Sequence, residues 1–119
     1  MVLIGIELQR EVIFHIGDIK RVERMMTKRY LEELLSRANK KFGTNFVLGG
    51  GWRDNGFSDH DVDVEVSVWD DNTHKAAKWI FDRIDQHLDV HYVGCIEGET
   101  NYFFCRDGRE GFIKDVPKL

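Results

Sequence analysis

The clearest pattern in the chain is the alternation from Asp61 to Trp69, where Asp61, Asp63, Glu65 and Ser67 fall on one side and Val62, Val64, Val66 and Val68 on the other. A period of two predicts a β-strand with one buried face and one charged face. Upstream the period lengthens. Met26, Tyr30, Leu34, Ala38 and Phe42 recur every four residues with Leu31 and Leu35 beside them, which predicts an amphipathic helix ended by Gly43. Asp70-Asp71-Asn72-Thr73 supplies N-cap chemistry for a second helix, whose expected stripe is Ala77, Ile80, Phe81, Ile84 and Leu88.

Shorter apolar runs fill in the rest. Stretches at 2–8 and 12–16 flank Gln9, Arg10 and Glu11 and predict a hairpin or a pair of edge strands. Asn45 to Leu48 reads as a short buried strand leading into Gly49-Gly50-Gly51 and then a polar loop; Val90 to Ile96 reads as another strand. A last hairpin is expected to pair Tyr102–Cys105 with Gly111–Lys114, with Asp107-Gly108 in a tight type I′ turn. This order predicts an α/β (α+β) domain: a mixed β-sheet with helices on one face.

Size and charge narrow the picture. With 119 residues, 42% hydrophobic and 32% charged, the chain is read as a single domain, 1–119. A net charge of −4 does not favour a broad electrostatic grip on nucleic acid, so a nucleic-acid acceptor is possible but not indicated. Between Lys20 and Lys41, eight basic and three acidic residues make a local excess, read as a solvated helix face. The apolar opening Val2–Ile6 is too short for a signal peptide or a membrane span, so the expected setting is the cytoplasm, with no membrane partner. Cys95 and Cys105 lack paired zinc-site spacing and are read as reduced thiols.

Charge patterning also singles out one segment. Residues 54–71 hold seven acidic side chains and no Lys or Arg. Carboxylates at i and i+2 of a strand lie roughly 6.6–7 Å apart at Cα on one face. That suits Asp61 and Asp63 to a hard divalent cation, Mg²⁺ or Mn²⁺, which would relieve their repulsion and bridge to phosphate oxygens. Asp59 and Asp61 have the same spacing; Asp61 with Asp63 is preferred because Val62 and Val64 then face the core. The plainer account is a polar sheet face turned to water. Gly49, Gly50 and Gly51 allow backbone to approach a ligand closely, Arg53 could meet a phosphate, and Trp52 is the tryptophan best placed to stack on a base. His91 shares a strand face with Asp89 and could line the site, but is read as an ordinary polar-face residue, and His74 and His87 are read as lying on the exposed face of the second helix.

Strand, Gly50-Gly51, a loop of about ten residues, then Asp61-Val62-Asp63-Val64 on the next strand resembles the signature of the nucleotidyltransferases of the DNA polymerase beta superfamily. The resemblance spans about residues 26–93, and Gly50-Gly51-Trp52 also resembles a segment of aminoglycoside and lincosamide nucleotidyltransferases. It implies that Gly50 and Gly51 hold the phosphates of a nucleoside triphosphate and that Asp61 and Asp63 ligate Mg²⁺. It also implies a third carboxylate on the strand after the following helix, where Asp89 is the matching position. The implied activity is Mg²⁺-dependent transfer of a nucleoside monophosphate to an acceptor hydroxyl; the alternative is a non-catalytic nucleotide- or partner-binding module of the same fold, regulatory or antitoxin-like. Two departures stand out. Gly51 replaces the serine most members use, and the stretch after Val93 is read as too short for a separate acceptor-binding domain. A homodimer or a partner protein is therefore expected, joined through Val2, Ile4, Ile6, Phe103, Phe112 and Ile113.

Overall fold

A computed structural model describes residues 26–94, 100–113 and 116 in full, and 11–13 and 22–24 by their backbone. Helix α1 (Lys28–Phe42) begins where the Thr27 hydroxyl accepts the Tyr30 N–H at 3.0 Å and ends at Gly43, whose φ of 71° closes the last turn. Its stripe buries Leu31, Leu34, Leu35 and Ala38. Helix α3 (Asp71–Phe81) starts at a capping box formed by Asp70 and Thr73. Between them lies a six-residue helix, α2 (Gly50–Asn55), where a polar loop was expected.

The strands are β3 (Val47–Leu48), β4 (Asp61–Val66), β5 (His87–Tyr92), β6 (Tyr102–Phe104) and β7 (Glu110–Phe112), joined in that order into one sheet. β4 and β5 run parallel and the other neighbours antiparallel, so the expected mixed sheet is present. β4 is interior, with β3 on one side and β5 on the other. α1 and α3 pack on the face carrying Val62, Val64, Val66, Leu88 and Val90, which join their buried residues in one core. Burying each Val or Leu there contributes about 1.5–3 kcal/mol before ordering costs. Among the described residues no helix is long and apolar enough to cross a membrane.

Several elements depart from the sequence pattern. α3 stops at Phe81, so Ile84 lies in the connection and Leu88 belongs to β5. Both remain buried, which is why their spacing imitated a longer helix stripe. His87 opens β5, and its Nδ1 accepts the Arg106 backbone N–H at 3.0 Å, while the His74 ring packs on Tyr102 and Phe104; neither lies on an exposed helix face. β4 ends at Val66, leaving Val68 54% exposed. The last hairpin turns through Arg106 and Asp107, with Gly108 N donating to Cys105 O at 3.0 Å and Gly108 at φ 93°; it is not the two-residue Asp-Gly turn expected. Arg106 ties this hairpin to the end of α3, donating from Nη2 to the carbonyls of Phe81 and Ile84. Near the start, β1 (Glu11–Ile13) pairs antiparallel with β2 (Val22–Arg24) in a separate sheet. The run at 2–8, including Val2, Ile4 and Ile6, lies outside the described residues, as do Cys95 and the expected strand end at Ile96.

Candidate functional site

Burial of Val62, Val64 and Val66 turns Asp61, Asp63 and Glu65 to the opposite, open face of the sheet. Asp59 precedes the strand and is exposed, so of the two possible aspartate pairs only Asp61 and Asp63 share a strand face. The parallel register with β5 then adds its own polar residues: Asp63 lies opposite Asp89, Glu65 opposite His91 and Asp61 opposite His87. Asp89 sits in the middle of β5, not at its start, and is held there by the burial of Leu88 and Val90 on either side.

The acids meet in pairs. Asp89 shares a hydrogen bond with Asp61 and is pushed up to about 7, first by burial, then by that bond and by the negative charges of Asp61 and Asp63, with His91 acting against them. Near neutral pH the proton on Asp89 relieves part of the repulsion among the three. His91 Nε2 lies 3.0 Å from Asp63 Oδ1. It therefore belongs to the site, although alternation within β5 alone showed only that it shares a face with Asp89. Among the described residues no group of three or more His, Cys, Asp or Glu side chains is gathered so as to hold a metal ion.

The glycine turn lies directly against this ridge. Gly49 N donates to the Asp63 carbonyl at 2.8 Å, and Gly50 takes φ +55°. A Cβ at Gly50 would stand 2.5 Å from Asp63 Oδ2, and one at Gly49 would stand 2.9 Å from Glu65 Oε2. Glycine is thus required at Gly50 twice over, for its backbone angle and for the carboxylate beneath it. Gly51 is crowded from the other side, since a Cβ there would come within 3.1 Å of the Phe57 carbonyl.

Trp52 departs from expectation, while Arg53 borders the site with its charge already engaged. Trp52 is 1% exposed, its ring in the core and its Nε1 donating to Gln86 Oε1 at 3.3 Å, so it offers no free face to a base. Arg53, in the last turn of α2, donates from Nη1 to Glu65 Oε2 at 3.0 Å and from Nε to Asp54 Oδ1 at 2.9 Å. This holds the Asp54 carboxyl below its usual range. Arg53 therefore borders the site, but it already answers two carboxylates. Glu65, which fixes it there, was seen in the sequence only as one of the alternating acids. Compared with family models, with curated proteins and with solved structures, the chain gives no significant match to any of them.

Proposed function

We propose that the chain is a divalent-metal-dependent nucleotidyltransferase, moving a nucleoside monophosphate from a nucleoside triphosphate to an acceptor hydroxyl. The observation that carries this reading is the register of two parallel strands. It sets Asp63 beside Asp89, which is hydrogen-bonded to Asp61, under a glycine turn that approaches the Asp63 carboxylate too closely for any side chain.

The donors suit a hard cation by their chemistry, although among the described residues they are not gathered around one point. Asp61, Asp63 and Asp89 offer carboxylate oxygens, the ligands Mg²⁺ and Mn²⁺ take. The negative charges of Asp61 and Asp63 beside Asp89 favour positive charge there, against the cost of burial. When bound, the metal supplies Lewis-acid neutralisation of phosphate charge. The chain's own residues do the rest. The absence of side chains at Gly49 and Gly50 lets the turn lie directly against Asp63, so that phosphate oxygens approaching the turn's backbone would come close to the carboxylates. As the acceptor oxygen bonds to the α-phosphorus, the bond from that phosphorus to pyrophosphate breaks and the hydroxyl proton passes to the Asp89 carboxylate, which stands beside Asp63 across the strand pair. The acceptor would sit on the β5–β6 side, and exposed Phe112 on edge strand β7, with exposed Ile113 just after it, supports an assembly with a second copy or a partner protein there. Light scattering reports it: a dimer mass is expected, and a strict monomer without a co-purifying partner sinks this part.

A second reading, a non-catalytic binding module of the same fold, is favoured by the contact of His91 with Asp63 and of Asp61 with Asp89, which satisfy the carboxylates among themselves. Calorimetric titration of Mg²⁺ with a non-hydrolysable nucleoside triphosphate separates the two. The enzyme reading expects binding that needs metal and weakens at least about tenfold in Asp63→Asn. Metal-independent binding, or equal binding by both proteins, supports the second reading.

A further inference from the structure

On the open face of the sheet the row that holds Asp63 and Asp89 continues across β6 and β7 through Phe103 and Gly111. Tyr102 and Phe104 turn inward to the core, so Phe103 is the side chain of β6 that shares the face of the carboxylates. Its side chain is half-buried, one strand away from the carboxylates. Its setting orients it: a Cβ at Gly111 would lie 3.6 Å from Phe103 Cε1 and 3.7 Å from Cζ, so the ring leans over a residue with no side chain to lift it. The Arg109 guanidinium stands 5.9 Å from the ring centroid and is itself steadied by Asp107, which accepts from Arg109 Nε at 2.8 Å.

We infer that Phe103, laid over Gly111 and flanked by Arg109, is the floor of a nucleobase-stacking subsite next to the carboxylates. The inference rests on the nucleotidyltransferase reading for its neighbour, and on register alone for its position. Base–aromatic stacking is tolerant of which base is bound because every base presents a π-face. The arrangement also fills the gap left by Trp52, whose ring is sealed in the core. From the glycine turn the row runs over Asp63, Asp89 and then Phe103, so the ring lies on the far side of the carboxylates from the turn. There it can receive either the base of the triphosphate or the base of an acceptor nucleotide.

Adenosine, titrated in EDTA and followed by amide resonances, tests the stacking without phosphate or metal. The expected result is shifts at Phe103 and Gly111, with affinity lost at least about fivefold in Phe103→Leu and kept within about twofold in Phe103→Tyr. Melting curves of both variants show whether they are folded; if the Leu variant is not, Arg109→Ala, expected to weaken adenosine binding by a smaller factor, replaces it. Repeating the titration with Mg²⁺ and the non-hydrolysable triphosphate present identifies the source. Competition assigns the platform to the donor's base, and simultaneous binding assigns it to the acceptor. Adenosine that shifts no resonance of β6 or β7, or that binds Phe103→Leu as well as wild type, overturns the inference. Retained Asp63-dependent triphosphate binding would then show that the subsite alone has failed. Conversely, Phe103-dependent adenosine binding with no metal-dependent triphosphate binding would keep the subsite and remove the enzyme reading.

Discussion

The two faces of the central sheet are built from alternate residues of the same strands, yet they follow opposite rules. On the inner face Val62, Val64, Val66, Leu88 and Val90 are buried against α1 and α3, and each contact lowers the free energy of the fold. On the open face Asp89 lies among the negative charges of Asp61 and Asp63, with Glu65 further along β4, and relief comes from His91 beside Asp63, Arg53 beside Glu65 and a proton retained by Asp89. A surface shaped only by stability would not collect like charges in this way. The contrast shows where the chain gives up stability, and such places are candidates for function.

Three substitutions sharpen or break this contrast. The largest effect is expected on the inner face. Leu88→Ala removes a fully buried side chain at the centre of the sheet and should cost about 2–4 kcal/mol in urea unfolding. A loss below about 1 kcal/mol would mean that the core between β5 and the helices is looser than its burial implies.

Next comes the boundary between the faces. Gly50→Ala places a Cβ at φ +55° and against the Asp63 carboxylate, and about 1–3 kcal/mol of destabilisation is expected. In an Asp63→Ala background part of that cost should vanish, because only the backbone strain then remains. Purely additive costs in the double mutant would separate the turn from the carboxylate.

The smallest change is a gain. With Asp89 raised to about 7 from an ordinary value of 3.8, both states hold the proton below 3.8. Between 3.8 and about 7 the unfolded chain releases it while the folded chain retains it, so metal-free stability falls as pH rises through that window and stays lowered above it. Asp89→Asn should therefore stabilise the metal-free protein above pH 7 and not below pH 4. The expected gain is about 1–2 kcal/mol, well under the full linkage value because the group is partly exposed and screened. A variant less stable than wild type at pH 8 would show that the ionised carboxylate is satisfied in the fold.

What could be read in advance follows the range of the interactions. Period-two alternation exposed the buried and open faces of β4, and period-four spacing with Thr27-independent cues such as Gly43 located α1, because side-chain direction follows from backbone geometry within a few residues. The same local rules misplaced the end of α3, where Ile84 and Leu88 are buried for tertiary reasons and continued a helical spacing by coincidence. They also missed α2, whose six residues begin with two glycines and carry little intrinsic helix preference.

By itself, then, the sequence determined the alternation that turns Asp61 and Asp63 outward together and the glycines that permit a close turn. Only the tertiary structure decided what those residues meet. The parallel register of β4 and β5 chose Asp89 and His91 as neighbours, the continuation of the row chose Phe103, and the packing of α2 drew Trp52 inward and Arg53 onto Glu65. The physical reason is that residue direction along a strand is set by covalent geometry, whereas pairing between strands is set by the burial of distant apolar residues, which a local pattern does not contain.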